Sequence, residues 1–572
     1  MNLKNVILFV LTFVVVLASG CGSQAGCPVC GTTKNGAYAL IDVIPVPEHN
    51  PTGAPGGPFN SFDISVVDPV NHKFYVSDRI GLDVVVVDTI NNVAVNTIGG
   101  ANEVAQAGNN ASPCVPSAIP GGGIPPMVSA LGNFTRFGCR TGSFSLPGFG
   151  PNGLFGGFTG AQCCASRANG VNPLSCPCGI IVTADGKTMF VGNASSSVVV
   201  FDLTVTPTPN VIAVIPTGQS PDFDGPVGTA PCVASSQGRA LSDPTCGDMR
   251  ADEMSYDEKD KILLVTNGDP GLPFATLIDM SAVVARTGNC LPVTPGNPYG
   301  PTNFPTCILG QIYYDGVAPL NNSVAVDSGA GPCPDPSTSA PSGVSGTGSG
   351  AGGKDVPCHH GPVITPAGVF CNQAAPAGNC AGAVSLAGLG GSAFNPNTGH
   401  FLVTNGNATG DLTTGTVDEI DPRIGNPAGP IVVNTFPVKN CMPTSVVQGL
   451  GNQFLVGCAN HDGVTFPPSE IVIDGKTGAI IATIDKVGGV DEIWFNPGDS
   501  RYYVAARDMP NGPVMGVIDA KTNTWLQNVA TNANSHSIAV DPSNNHAFVP
   551  LQSGSPCRNQ SANGCIGVYA QQ

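Results

Sequence analysis

The stretch that decides the fold is FDISVVDPVNHKFYVSDRIGLDVVVVDTINNVAVNTI, residues 62 to 98. Four short apolar runs alternate here with three turns that contain Pro, Asn, Asp or Gly. These residues favour tight reversals, because Pro fixes φ and Asn, Asp and Gly tolerate positive φ. Four short strands joined by tight turns predict one blade of a β-propeller.

The same unit recurs along the chain, in copies that begin near residues 179, 252, 391, 443, 491 and 536. The last copy supplies three strands, and the segment AYALIDVIPV at 37 to 46 can supply the fourth. Pairing the first and last segments removes two exposed sheet edges. We therefore predict an all-β, seven-bladed β-propeller over residues 37 to 572, closed by an N-terminal strand.

Composition agrees with this fold and excludes one class of partner. The chain of 572 residues contains 75 Gly and 53 Pro but only 6% aromatic residues, as expected for short strands and long ordered loops. Its net charge is −17, and no cluster of Lys and Arg stands out, so a nucleic-acid partner is excluded. Long insertions between repeats, predicted on one face, span about 99–177, 219–250, 281–306 and 316–389.

The cysteines indicate disulfides that staple these insertions. Twenty cysteines follow Cys21, and they fall into local groups. The groups are Cys27/Cys30, Cys114/Cys139, Cys163/Cys164/Cys176/Cys178, Cys232/Cys246, Cys290/Cys307, Cys333/Cys358/Cys371/Cys380, Cys441/Cys458 and Cys557/Cys565. Metal–thiolate chemistry is the alternative, but only one CxxC pair occurs, so local disulfides of an exported protein are favoured. The pairing within the two four-cysteine groups stays open.

The N-terminus indicates export. Residues 1–20 combine one early Lys, an apolar stretch and small residues, which is typical of a signal peptide. LASGC at 17 to 21 is similar to a bacterial lipobox, which predicts a lipid on Cys21 followed by a linker at 21–36. Cleavage without lipidation is the alternative. The expected location is extracytoplasmic, as a lipoprotein of the outer membrane or cell surface, or else periplasmic or secreted. Contact with a membrane is expected only through the lipid.

Three stretches carry a resemblance to a known family. KFYVSDRIGLDVVVVDTINNVAVNTI, ILLVTNG and FLVTNGN resemble the YVTN-type β-propeller repeats of secreted and surface proteins of bacteria and archaea. The resemblance covers about half of the chain and implies a propeller, an extracytoplasmic location and a binding or surface role. It implies no reaction, because one fold hosts many functions.

A recurring aspartate ends the third strand of most repeats. In DTINN, DGKTG and DAKTN its carboxylate is placed to accept turn amides, so a structural role is predicted rather than a catalytic one. The residues concerned are Asp88, Asp202, Asp279, Asp421, Asp474 and Asp519.

A second acidic pattern points to the channel mouth. The pairs Asp252/Glu253 and Asp491/Glu492 stand directly before the first strand of their repeats. Superposing the repeats places Asp63 and Cys178 level with Glu253 and Glu492 at the channel mouth, with Asp252, Asp491 and His536 one residue earlier. Repulsion among these carboxylates needs water, a cation or a basic group to offset it. Calcium is the predicted metal because oxygen ligands dominate, and His536 would allow a transition metal instead. The alternative is a water-filled channel with a carboxylate rim and no resident ion.

These observations favour a binding function. We predict an exported, lipid-anchored propeller that binds a protein or small-molecule ligand on the face of the insertions, with no catalytic residue assigned. The alternative is a metal-dependent, lactonase-like hydrolase in which His536 or a bound water is the base. The sequence contains no GxSxG, HExxH or phosphate-binding GxxxxGK[ST] motif.

Overall fold

A computed structural model describes the propeller body. The described residues are 36–46, 59–79, 81, 83–99, 177–193, 197–206, 209–217, 251–267, 274–288, 290, 307–313, 347–349, 355–357, 363–365, 368–370, 389–406, 414–423, 431–459, 467–557 and 563–572. The predicted signal peptide, Cys21, most of the linker and most of each insertion lie outside these residues. Within the described part of the chain, no helix is long and apolar enough to cross a bilayer.

Seven antiparallel sheets form the ring, as predicted, and we number the blades by the order of their first strands. Blade 1 contains β2 (Phe62–Asp68), β3 (Lys73–Asp78), β4 (Asp83–Asp88) and β5 (Val93–Gly99). Blade 2 contains β6 (Ile180–Val182), β7 (Thr188–Asn193), β8 (Ser197–Asp202) and β9 (Asn210–Pro216). Blade 3 contains β10 (Met254–Asp257), β11 (Ile262–Asn267), β12 (Phe274–Asp279) and β13 (Ile308–Tyr313).

The remaining four blades repeat this pattern. Blade 4 contains β18 (Leu389–Asn395), β19 (His400–Asn405), β20 (Thr414–Asp421) and β21 (Ile431–Lys439). Blade 5 contains β22 (Met442–Gln448), β23 (Gln453–Ala459), β24 (Glu470–Asp474) and β25 (Ile480–Ile484). Blade 6 contains β26 (Ile493–Asn496), β27 (Arg501–Ala506), β28 (Val514–Asp519) and β29 (Thr524–Ala530). Blade 7 contains β30 (Ala539–Asp541), β31 (His546–Leu551), β32 (Cys565–Gln571) and β1 (Tyr38–Pro45).

Some elements fall within the predicted insertions. A single helical turn, α1 (Ser281–Val284), follows β12. β16 (Val363–Thr365) and β17 (Gly368–Phe370) extend the sheet of blade 3 to six strands, which the four-strand repeat did not predict. β14 (Thr347–Ser349) and β15 (Asp355–Pro357) form a separate two-stranded sheet.

The ring closes through the strand predicted from residues 37 to 46. β1 pairs antiparallel with β32, from Tyr38 opposite Gln571 to Pro45 opposite Cys565. The innermost strands contact one another in the circular order β2, β6, β10, β18, β22, β26, β30 and back to β2. They therefore surround a central channel.

The hydrophobic core is divided among the joints between blades. Each of its seven clusters of buried residues combines side chains from two neighbouring blades. At the joint of blades 7 and 1, for example, the buried rings of Phe74 and Phe548 lie 5.4 Å apart. Successive side chains of a strand point to opposite faces of its sheet, so each blade packs one set of side chains against the blade before it and the other set against the blade after it. Both faces are therefore apolar, which explains the short apolar runs of the sequence.

Two structural roles predicted from the sequence are confirmed. All six recurring aspartates accept backbone amides of the turn that follows the third strand; Asp474, for example, accepts from Lys476 and Thr477 at 3.0 and 2.9 Å. The disulfides Cys290–Cys307, Cys441–Cys458 and Cys557–Cys565 match predicted pairs. Apart from Cys178, the other predicted groups lie outside the described residues.

Candidate ligand site at the channel mouth

A ring of equivalent residues surrounds one end of the channel. In blades 1 to 6 the fourth residue of the second strand is a valine, paired with a first-strand residue that fixes the register. The ring position lies two residues before that partner. Its members, in blade order with His536 assigned to blade 7 by the same count, are Asp63, Cys178, Asp252, Gly390, Thr444, Asp491 and His536.

This register corrects the superposition made from the sequence. We placed Asp63 and Cys178 level with Glu253, but the pairing places both level with Asp252. A β-bulge between Phe62 and Ser65 adds a residue in blade 1, and register shifts also occur in blades 4 and 5, so counting from the start of each strand does not give equivalent positions. In the observed register, four consecutive blades, 7, 1, 2 and 3, carry His, Asp, Cys and Asp at the ring position.

Glu253 and Glu492 meet across the channel. They come from blades 3 and 6, and their carboxyl groups hydrogen-bond to each other. Burial, with neighbouring carboxylates adding to it, raises the pKa of Glu253 to about 8 and that of Glu492 well above its usual range. The negative charges of Asp63 and Asp491 both contribute to the raised pKa values of the two glutamates. The predicted acidic convergence therefore exists in this structure.

Two arginines offset part of the negative charge. Arg79 forms an ion pair with Asp63, and both side chains are buried. The Nη1 atom of Arg507 lies 2.9 Å from Asp491 Oδ2. Neither arginine was predicted from the sequence. Each directly follows the second strand of its blade, in SDR and AAR, and this shared position could have indicated that both lie at the channel mouth.

Asp63, Cys178 and Asp252 bring three metal-ligating atoms together. One carboxylate oxygen of each aspartate and the Sγ of Cys178 lie within 4.8 Å of one another, and all three residues are buried. Gly179 makes this approach possible, because a Cβ there would lie 1.8 Å from the Asp252 carbonyl oxygen. Blades 2 and 3 therefore come close at the residue that follows Cys178. Cys178 was not among the predicted metal ligands.

His536 lies beside Asp63 in the same ring. Its Nδ1 atom is 2.8 Å from the carbonyl oxygen of Asn534, so Nδ1 carries the proton of this hydrogen bond. Its Nε2 atom lies 3.5 Å from Asp63 Oδ1. The imidazole of His536 stacks on Phe62, and the residue is only 2% exposed. The second nitrogen of His536 is therefore directed at a carboxylate.

All six residues predicted for the metal site thus lie at this end of the channel, in three groups. Asp63 and Asp252 converge with Cys178, His536 approaches Asp63, and Glu253 contacts Glu492. Asp491 is held by Arg507. Calcium remains a prediction. The predicted lipid site, Cys21, lies outside the described residues.

Comparisons with known proteins identify no family. No family model matches the chain, and no curated protein matches it, so membership of the YVTN family stays a prediction. A chain of the mitotic checkpoint complex is 8% identical, with 97% of this chain and 100% of that chain covered and a TM-score of 0.42. Kuenenia stuttgartiensis hydrazine synthase is 12% identical, with coverage of 91% and 96% and a TM-score of 0.42. Likeness at this level concerns the fold alone.

Proposed function

We propose that this protein is an exported, lipid-anchored propeller that binds a positively charged ligand at the channel mouth. The observation that supports the proposal is the contact between the carboxyl groups of Glu253 and Glu492, with further aspartates around it. Like charges brought this close are unfavourable unless a proton or a cation lies between them. A cationic group that enters the mouth would relieve this repulsion and gain oxygen ligands.

The shape and position of the site also support a binding role. The mouth is formed by residues from separate blades, so a ligand there contacts a rigid scaffold. The predicted insertions join consecutive blades, and loops of this kind usually carry the function of such scaffolds. The signal-like N-terminus supports the extracytoplasmic location that the proposal assumes.

The hydrolase alternative receives less support. Its predicted base, His536, is only 2% exposed, and its two nitrogens face Asn534 and Asp63. A general base needs access to the proton that it removes. We therefore assign a binding role and no reaction.

The test is calorimetric titration of the exported protein with calcium chloride and with 1,4-diaminobutane. We expect at least one of these cations to bind, and Glu253→Gln/Glu492→Gln to weaken that binding by about tenfold or more, because two ligands are removed. Asp42→Asn is the control, since Asp42 lies on β1, the outer strand of blade 7, and not among the residues that surround the channel mouth. Equal affinity of the wild type and the double variant would refute the proposal.

A further inference from the structure

We infer that Asp63, Cys178, Asp252 and His536 form a site for a zinc-class divalent cation. The inference deepens the proposed function, on which it rests, by naming the class of cation. Three of the four ligand atoms already lie within 4.8 Å of one another. An ion can lie within about 2.8 Å of all three atoms so placed, and small side-chain rotations would reach bond lengths of ~2.0–2.3 Å.

The sulfur decides the class of metal. Calcium and magnesium take oxygen ligands, whereas thiolate and imidazole ligands favour zinc and its neighbours among the transition metals. A mixed set of two carboxylates, one thiolate and one imidazole suits a four-coordinate ion. Calcium was predicted because carboxylate oxygens dominated the predicted ligands, with a transition metal as the alternative that His536 would allow; Cys178 had no part in that set.

His536 is the independent observation that points to a cation. With Nδ1 donating to Asn534 O, a neutral imidazole directs the lone pair of Nε2 towards Asp63 Oδ1 at 3.5 Å. Arg79 pairs with the other carboxylate oxygen, Asp63 Oδ2. At Oδ1, two acceptors face each other, which is unfavourable unless a cation lies between them or the imidazole is protonated. A separation of 3.5 Å is close to the ~3.3 Å between two ligands of one tetrahedral ion with bonds of ~2.0 Å.

The backbone supports the sulfur ligand. The Ser77 hydroxyl donates to the carbonyl oxygen of Cys178 at 2.6 Å, and the Cys178 amide donates to Gly192 O at 3.1 Å. These bonds fix both the backbone amide and the backbone carbonyl group of Cys178. All three converging ligands occupy the same ring position in consecutive blades, so their separation depends on the propeller geometry and not on a loop.

The experiment uses the full exported protein, freed of metal with a chelator and titrated with cobalt and then zinc. We expect one cobalt per chain, with the near-ultraviolet absorption of a cobalt–thiolate bond, displaced by zinc. Cys178→Ser should lose this absorption, and Cys178→Ser and Asp252→Asn should each weaken zinc binding by at least about tenfold. Asp491→Asn is the matched control, because Asp491 has the same ring position in blade 6 but is not part of the group formed by Asp63, Cys178 and Asp252.

Several outcomes would overturn the site. Cobalt that binds the wild type without thiolate absorption refutes the sulfur ligand, and this readout needs no variant to fold. Peptide mapping that finds Cys178 in a disulfide does the same. If calcium or the diamine binds and zinc does not, the zinc site is wrong while the proposed cation-binding function stands. If no cation binds, both fall.

Discussion

The hydroxyl groups of Tyr38 and Tyr503 lie 2.8 Å apart in the buried seam between the N-terminal strand and blade 6. Tyr503 also donates to Asp499 Oδ2 at 2.5 Å, and Arg501 contacts the Tyr38 hydroxyl. Because Tyr38 belongs to β1, this cluster ties the closing strand of blade 7 to the neighbouring blade. Ring closure therefore depends on side chains as well as on the β1–β32 ladder.

Tyr503→Phe should destabilise the propeller by about 1–3 kcal/mol, because it removes the hydroxyl that donates to the buried Asp499. The midpoint of denaturant unfolding measures this loss. Tyr502→Phe is the matched control: the neighbouring ring is equally buried, and its hydroxyl has no hydrogen-bond partner among the described residues. We expect Tyr502→Phe to change stability little. Equal losses for both variants would contradict the assigned role of the cluster.

Asp418 should make stability depend on pH. It is fully buried in β20, and burial raises its pKa to about 7, although the nearby side chains of Thr435 and Thr416 partly oppose this. A raised pKa means that the folded state binds a proton which the unfolded state releases above its ordinary value of 3.8. The contribution is therefore present at low pH and lost as the pH rises through about 7.

Asp418→Asn should flatten that dependence between pH 4 and 8, by about 4 kcal/mol at most. Unfolding midpoints measured across this range are the test. Asp474→Asn serves as the control, since turn amides outweigh partial burial and lower the pKa of Asp474. Its contribution is lost only in acid, as the pH falls through that lowered pKa. The control should therefore shift stability without changing the slope between pH 5 and 8. Parallel slopes for wild type and Asp418→Asn would exclude a titrating Asp418.

A count of thiols in the denatured, unreduced protein separates two arrangements of the cysteines. If all twenty that follow Cys21 are paired, as predicted from their grouping, almost no thiol should react. If Cys178 is a metal ligand, an odd number of cysteines remains, so at least two thiols should be found after metal removal. A near-zero count would therefore also refute the zinc site.

The mature protein should begin at Cys21 and carry a lipid. Mass spectrometry of the N-terminal peptide from the native host would show this modification directly. Cys21→Ser should release the protein from the membrane fraction while leaving the signal segment in place. An unmodified N-terminus, or a soluble wild type, would contradict lipidation.

Much of the fold was predictable because the propeller repeats a local pattern. The apolar strands, the turn residues and the recurring Asx turns are set by nearby sequence, and these predictions are confirmed. The extension of the blade 3 sheet from four to six strands was not predictable, since β16 and β17 lie outside the repeat. Their pairing depends on a distant insertion.

The candidate site was predictable in location but not in detail. The Asp-Glu pairs identified the channel mouth, because their place before the first strand is a local feature. The bulge beside Asp63 depends on pairing with β3, and the level of Cys178 depends on the pairing of β6 with β7, so neither register could be counted from the sequence. Which carboxylates share a proton or a counter-ion depends on contacts between blades, which no single repeat encodes.

If the protein is exported as proposed, the closing strand sets an order of events for its passage across the membrane. Gln571 donates to Gly36 O over 535 positions of sequence, so the first strand to emerge waits for the last one. Until β32 arrives, β1 has an open edge and exposes residues such as Tyr38 and Ile44 that the finished ring buries. Folding of the ring is therefore completed only after translocation of the whole chain. A stalled or shortened export product would be a substrate for envelope chaperones and proteases.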